Sequence, residues 1–320
     1  SVFTTGAQSV TGTAITLNGP TYQATTAGVA ISYAGAVGLG GPVAVTTNNG
    51  NISFSSTINN AQSLGLTAGT GNVDLQGAVG GVALSALTVV SATTARFGAN
   101  VTTTGAQAVT AGTIQTNGTH QTTNTDITLT GNVTLQAGTA LNTGAGAGNL
   151  TVTGTVDGGV GLTVSAGTGA VSLSGVVGGT TALLSLTVGG STITTAGIGG
   201  AAAGVSGVTA LTATTSVTFS GTTYWANGAT YDAGAAGNNL NMSAGALTTF
   251  SSSADVITFI GTVRLSAGTN FVVNTVGGVL TVGSIRGTAG ETVTLNTGAA
   301  ALTVNAAIGS GAEIGDVTLQ

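Results

Sequence analysis

Apolar and polar residues alternate along short stretches of the chain, most clearly between residues 150 and 188. Val, Leu and Ile occupy every second position of these stretches, and mostly Thr and Ser stand between them. A period of two is typical of β-strands that bury one face. The pattern therefore predicts short strands whose apolar positions are Leu150 and Val152, Leu162 and Val164, Val171 and Leu173, and Leu184, Leu186 and Val188.

Glycine-rich segments such as DGG, AGTG and VGG separate the predicted strands. Glycine adopts positive φ angles without strain, so these segments are typical of tight turns. Equivalent apolar positions recur at a regular interval, as Leu150 and Val171 do. This interval predicts a β-solenoid with roughly 20 residues per coil, where a coil is one full turn of the solenoid. Crossover connections between parallel strands are nearly always right-handed, so we expect an all-β, right-handed parallel β-helix.

A longer repeat divides the chain into three units. LTAGTGNVDLQGAVGG at 66–81 returns as VSAGTGAVSLSGVVGG at 164–179, and TTGAQSVT at 4–11 returns as TTGAQAVT at 103–110. A third copy follows after a longer interval, since GNVTLQAGT from Gly131 matches GTVRLSAGT from Gly261. We expect one continuous solenoid over 1–320, with units at about 1–98, 99–196 and 197–320 and a non-repeating insertion at about 197–253.

Composition argues against several classes of protein. Charged residues make up 3% of the chain and glycine 56 of its 320 residues, unlike an ordinary globular enzyme. The apolar runs are too short for a transmembrane helix. A net charge of −5, with three arginines and no lysine, predicts no nucleic-acid partner. The absence of cysteine excludes disulfides and thiolate metal sites.

The segment GNLTVTGTVDGGVGLTVSAGTGAVSLSGVVGG, residues 148–179, resembles the repeats of filamentous-haemagglutinin-like and autotransporter-type bacterial surface exoproteins. The resemblance covers most of the chain outside about 197–253. It implies a right-handed β-helical stalk, exported by a Gram-negative bacterium and located at the cell surface or outside the cell. The secretion domain and translocator of that family are not recognised in this sequence, so we expect a segment or processed subunit of such a protein.

Few residues of the chain suit catalysis. A glycosidase needs two carboxylates about 5–10 Å apart, and only Glu313 and Asp316 are close in sequence. His120 is the single histidine, with Asp126 six residues later, and no nucleophile motif accompanies it. The other acidic residues are expected to be polar-face or turn residues. We therefore predict no catalytic residue, no cofactor and no metal site, and we expect that the chain is not an enzyme.

The segment FSGTTYWANGATYD, residues 219–232, holds the only tryptophan and two of the four tyrosines. Aromatic faces beside Asn and Asp suit stacking and hydrogen bonding to sugars, or contact with a protein partner. One hypothesis is that the rings fill a wider coil or cap a coil edge. The other is a binding surface formed by Phe219, Tyr224, Trp225, Tyr231 and Asp232.

Four functions follow from these observations, in order of preference. The first is an extracellular structural stalk or fibre segment, whose partners are further repeats of the same polypeptide or copies of itself joined end to end. The second is an adhesin module that binds a glycan or host surface near Trp225. A polysaccharide-active β-helix enzyme is third. An ice-binding solenoid is fourth, because the Thr-x-Thr motifs lack a steady coil spacing.

Overall fold

A computed structural model of the chain describes residues 1–235, 237–288, 290–309 and 314–320. The described residues form 31 β-strands. This part of the chain contains no helix long and apolar enough to cross a membrane. The chain divides into two compact units, the first comprising Ser1–Gly154 and Ser165–Gly167 and the second comprising Thr155–Val164 and Thr168–Gln320.

The first unit contains sixteen of these strands. They are β1 (Val2–Thr4), β2 (Gln8–Leu17), β3 (Thr21–Ala27), β4 (Ile31–Leu39), β5 (Val43–Asn48), β6 (Ile52–Phe54), β7 (Ile58–Asn59), β8 (Ser63–Thr67), β9 (Val73–Leu75), β10 (Val79–Leu84), β11 (Ala86–Ser91), β12 (Thr94–Phe97), β13 (Val101–Thr103), β14 (Gln107–Gln121), β15 (Ile127–Asn142) and β16 (Leu150–Val152).

The second unit contains the strands that follow, except for the last residue of β18. They are β17 (Val156–Asp157), β18 (Gly161–Ser165), β19 (Val171–Leu173), β20 (Ser185–Thr195), β21 (Thr209–Phe219), β22 (Thr223–Trp225), β23 (Ala229–Asp232), β24 (Asn239–Met242), β25 (Thr248–Ser251), β26 (Ile257–Leu265), β27 (Phe271–Asn274), β28 (Leu280–Arg286), β29 (Val293–Asn296), β30 (Leu302–Val304) and β31 (Val317–Leu319).

Strands of the first unit pair in parallel with strands one coil earlier and one coil later. Residues in register form columns, and successive members of a column belong to successive coils. Stacked parallel strands lie about 4.8 Å apart, so the side chains of a column contact one another and exclude water. One buried column comprises Ile31, Ile52, Val73, Ala95, Ile114 and Val133.

The second unit has the same architecture, with some longer coils. Leu280 is in register with Leu302, whereas Ala229 is in register with Ile257, a partner further along the sequence. The expected insertion at 197–253 contributes β21 to β25, which pair in parallel with strands of neighbouring coils. The predicted parallel β-solenoid is thus confirmed. The chain forms about 14 coils of roughly 22 residues, slightly longer than expected from sequence.

Alternation of inward and outward side chains holds through most strands, as β19 shows. Leu173 is 1% exposed, while Ser172 and Ser174 lie on its outer side, where their hydroxyl oxygens are 3.2 Å apart. The prediction that Leu173 points inward is confirmed. The same holds for Leu150, Val152, Leu162, Val164, Val171, Leu186 and Val188, all of which are buried.

Leu184 is the exception among the predicted inward residues. It is 61% exposed, and Leu183 is buried in its place. Leu183 forms an isolated bridge with Val205, and the regular strand β20 begins only at Ser185. The prediction for Leu184 was wrong because this break shifts the alternation by one residue, which moves a side chain to the opposite face.

An Asn-Thr-Gly sequence forms one kind of coil corner. At 142–144 and again at 296–298, the Asn Oδ1 accepts a hydrogen bond from the glycine N–H, at 2.8 and 3.0 Å. The Thr hydroxyl donates to a carbonyl further along the turn. Gly144 and Gly298 have φ angles of 91° and 61°, a region that side chains with a Cβ rarely adopt. These corners therefore favour glycine at the third position.

Candidate functional site

Aromatic side chains of the segment 219–232 lie mostly inside the solenoid. Phe219, Tyr224 and Tyr231 are buried. The ring centroid of Phe219 lies 4.9 Å from that of Tyr224 and 5.1 Å from that of Tyr231, both edge to face. Phe250 contacts all three rings at 4.7 to 5.3 Å. The rings fill the interior of wide coils, where such contacts stabilise the core.

The hydroxyl group of Tyr224 is satisfied within this core. It donates to the carbonyl oxygen of Thr195 at 2.9 Å and accepts a hydrogen bond from the N–H of Gly221 at 2.8 Å. Burial raises the pKa of Tyr224, and likewise that of Tyr231, above the ordinary tyrosine value. Both side chains therefore remain neutral and structural at physiological pH.

The five residues predicted to form a binding surface do not share one face. Only Trp225 and Asp232 are partly exposed. Trp225 lies in β22, which pairs with β25, while Asp232 lies in β23, which pairs with β21 and β26. The prediction is corrected for Phe219, Tyr224 and Tyr231, because their ring faces pack against other rings and cannot stack on a solute.

The alternation pattern contains the signal that places these rings inside. Phe219 follows Val217 by two residues, and Tyr231 follows Ala229 by two. Residues two apart in a strand face the same side, and all four are buried. The unusual composition of the segment is compatible with a core or a surface, whereas the period of two indicates a core.

His120 is fully buried inside the first unit, in contact with uncharged partners. Its Nδ1 lies 3.0 Å from Gln107 Oε1, and its Nε2 lies 2.6 Å from Thr116 Oγ1. The ring also meets Phe97 edge to face at 5.0 Å. The Gln107 amide nitrogen donates to the backbone oxygen of Gln121 at 2.9 Å, which points Oε1 of Gln107 at the histidine.

These contacts determine the tautomer of His120. Gln107 Oε1 can only accept, so the proton must be on Nδ1, and Nε2 must accept the hydroxyl hydrogen of Thr116. Burial lowers the pKa of His120 from 6.5 to about 4. A neutral histidine enclosed in this way is a structural hydrogen-bonding residue and does not reach a solute.

Two of the aspartates support the backbone of the next coil. Asp126 Oδ1 accepts a hydrogen bond from the N–H of Asn149 at 2.7 Å. Asp157 Oδ1 accepts from the N–H groups of Thr180 and Thr181, at 2.8 and 3.0 Å. Asparagine side chains make the same contact, in which Oδ1 accepts a hydrogen bond from a backbone N–H of the next coil. These asparagines are Asn49, Asn51, Asn59, Asn72, Asn100, Asn124, Asn227 and Asn270.

Acidic residues otherwise show little clustering. Of Glu313 and Asp316, the two acidic residues that are close in sequence, Glu313 lies outside the described residues. The residues that the structure describes contain no group of three or more His, Asp or Glu side chains placed to hold a metal ion.

One ion pair occurs in the described part of the chain. Arg96 Nη1 lies 2.9 Å from Asp74 Oδ1, and the two residues are in register on β12 and β9. They line a surface groove of about 470 Å³ in the first unit. The two residues are far apart in the sequence and belong to no recognised motif. Their separation by one coil along the chain is the signal that could have brought them together.

Comparisons of the chain with protein-family models, with curated proteins and with solved structures find no match. The resemblance of residues 148–179 to bacterial exoprotein repeats is therefore supported only in its fold, a β-solenoid. What that resemblance implies about export and function remains a proposal.

Proposed function

We propose that the chain is an extracellular structural segment, a stalk or fibre, of a surface protein from a Gram-negative bacterium. The observation that supports this most directly is the continuous apolar packing of columns such as Ile31 to Val133. Each coil buries its apolar side chains against the coils before and after it, so stability comes from stacking. Export and surface location rest on the resemblance of the repeats.

Cell fractionation of a producing bacterium tests the proposed location. Antibodies against the chain should label intact cells or detect the protein in the medium, since a stalk must lie outside the outer membrane. A periplasmic marker that stays unlabelled serves as the control. Recovery of the protein from the cytosol alone would contradict the proposal.

The proposed partner of each end is another coil, from the same polypeptide or from a second copy. Phe3 in β1 is 62% exposed and Leu319 in β31 is 56% exposed. β1 pairs with β3, and β31 pairs with β29. Among the described residues β1 and β31 each pair on one side. Exposed apolar side chains beside such a strand favour the addition of another strand, and head-to-tail addition gives an open filament.

Sedimentation velocity over a range of concentrations tests this association. The chain should form larger species as concentration rises, and Phe3→Lys and Leu319→Lys should each shift the distribution toward the monomer. Val208→Lys changes an equally exposed valine that lies between β20 and β21, and should have no effect. A monomer at all concentrations would contradict end-to-end association.

The alternative is an adhesin module that uses Trp225. This residue is the partly exposed aromatic of its segment, so a sugar would contact the exposed part of its ring. Binding on a glycan array that disappears in Trp225→Ala would favour this function. We also propose that the chain is not an enzyme, which turnover of any polysaccharide would contradict.

A further inference from the structure

We propose that the surface groove beside the Arg96–Asp74 ion pair binds a neutral oligosaccharide. The groove lies on the outer side of β6, β9, β12 and β14, and its volume of about 470 Å³ falls in the usual range for small-molecule sites, roughly 300–1,000 Å³. Its polar side chains belong to Asn51, Ser53, Asn72, Asp74, Arg96 and Gln115.

Two carboxamide groups in the groove have their donors free for a ligand. Asn51 Oδ1 accepts a hydrogen bond from the N–H of Asn72 at 2.9 Å, and Asn72 Oδ1 accepts from the N–H of Thr94 at 3.1 Å. These contacts fix which end of each amide faces the backbone. The two NH₂ groups, one coil apart, have no partner among the residues that the structure describes.

The ion pair adds fixed acceptors and further donors. Asp74 accepts from Arg96 Nη1 through one oxygen and from Gln76 Nε2 through the other, both at 2.9 Å. Neither side chain can rotate without losing these contacts. A guanidinium has five N–H donors, and Arg96 forms one hydrogen bond to a described residue. A sugar hydroxyl, which both donates and accepts, suits a place where free donors and a carboxylate lie side by side.

The spacing of these groups matches an extended chain of sugars. Ser53, Asp74, Arg96 and Gln115 are in register on four successive coils. Successive coils lie about 4.8 Å apart, close to the length of one pyranose unit. An oligosaccharide along the column therefore places successive rings against successive coils.

Charge favours a neutral ligand in this groove. The positive charge of Arg96 is already compensated by Asp74, and the chain as a whole carries a net charge of −5. An acidic oligosaccharide is repelled by the whole molecule and finds no uncompensated cation among the groove residues.

Stability alone does not account for the ion pair. The side chains of Arg96 and Asp74 are 46% and 32% exposed, and solvent-exposed pairs contribute little to stability. The asparagine contacts recur elsewhere, for example at Asn124 and Asn227, where no arginine is near in sequence. The groove is the place where both features coincide.

Isothermal titration of the whole chain with cellohexaose, laminarihexaose, xylohexaose and maltohexaose tests the proposal. At least one of these neutral probes should bind, and Arg96→Gln and Asp74→Asn should each weaken its affinity about tenfold, the value of one hydrogen bond to a charged group. Arg264→Gln, a change at an exposed arginine outside the groove, should leave the affinity unchanged.

Three results would overturn the proposal: no binding of any neutral probe, tighter binding of hexagalacturonate, or loss of binding in Trp225→Ala with Arg96→Gln unaffected. Thermal melting of each variant confirms that it is folded. Gln115→Ala is a second groove variant that leaves the ion pair intact, and it should also weaken binding. It replaces the charged-residue variants in the test if either of them fails to fold.

Discussion

Val276 occupies a corner position where glycine stands one coil later, at Gly298. The two residues follow Asn274-Thr275 and Asn296-Thr297, and their N–H groups make the same contact to the Asn side chain. Val276 has a φ of 51°, which is strained for a β-branched residue. We expect Val276→Asn to raise the free energy of unfolding by about 1 kcal/mol by relieving this strain.

Urea denaturation of matched variants measures the effect. Val208 is as exposed as Val276, at 64%, but has no positive φ angle, so Val208→Asn should not stabilise the chain. The reverse change, Gly298→Val, should destabilise it by about 1 to 2 kcal/mol. Equal responses to Val276→Asn and Val208→Asn would show that backbone strain is not the cause.

His120 makes the stability of the chain dependent on pH in the mildly acidic range. Its folded pKa is about 4, whereas an unfolded histidine has a pKa near 6.5. Between these values the unfolded chain binds a proton that the folded chain excludes. The free energy of unfolding should therefore fall as the pH drops from 6.5 to 4, by about 3 kcal/mol from this residue.

The single histidine gives a direct measurement of this effect. The NMR signal of its imidazole C–H groups should not shift between pH 7 and pH 5 in the folded chain. In urea denaturation, wild type should lose more stability over this range than His120→Leu, in which only the carboxylates titrate. An NMR titration midpoint near pH 6.5 for the imidazole of the folded chain would contradict this expectation, because it would mean that the ring is accessible to water.

At the scale of the strand, Leu173 tests the assignment of inward and outward faces. Leu173→Asp places a carboxylate in the core without a partner and should reduce stability by several kcal/mol. Ser172→Asp is the matched control, because Ser172 lies on the outer side of β19. It should change stability by less than about 0.5 kcal/mol. Similar thermal melting of the two variants would contradict the assignment.

Contacts between coils depend on side-chain acceptors as well as on strand pairing. Asp157→Ala removes the acceptor of the exposed N–H groups of Thr180 and Thr181, and should cost about 1 kcal/mol. Asp157→Asn keeps an acceptor oxygen and should cost less. Hydrogen exchange should accelerate at Thr180 and Thr181 in the alanine variant alone.

The strand pattern was predictable because it depends on local alternation. The period of two correctly placed Leu173 inside, and the recurrence of apolar positions from Leu150 to Val171 indicated the coil. The pattern failed at Leu184, because a break before β20 shifts the alternation. This break cannot be recognised in the sequence ALLSL, where two adjacent leucines are equally suited to the inward position. The handedness of the solenoid stays a prediction.

At the scale of the whole molecule, sites were harder to predict than coils. A side chain meets the residue one coil away, and the length of a coil varies along the chain. The coil from Ala95 to its partner Ile114 is short, whereas the one from Ala229 to Ile257 is long. Arg96 and Asp74 are 22 residues apart, so a search at the roughly 20-residue spacing expected from the sequence does not pair them. Local patterns therefore revealed the core, whereas the groove required the register of individual strands.

The same register predicts resistance to trypsin. The only cleavage sites are Arg96, Arg264 and Arg286, and all lie within strands. Arg96 is in register with residues of β9 and β14, and Arg264 with residues of β24 and β28. A protease must open a strand from its neighbours before it can cut. We expect the folded chain to survive conditions under which the urea-unfolded chain is digested completely.

A variant with a new site in a coil corner completes the trypsin experiment. Leu247 is exposed and lies between β24 and β25, so Leu247→Arg should introduce a site outside the paired strands. Mass spectrometry should detect cleavage after this new arginine well before cleavage after Arg96 or Arg264. Because both arginines are paired on two sides, rapid cleavage at either one in the native chain would mean that their coils open independently of the neighbouring coils.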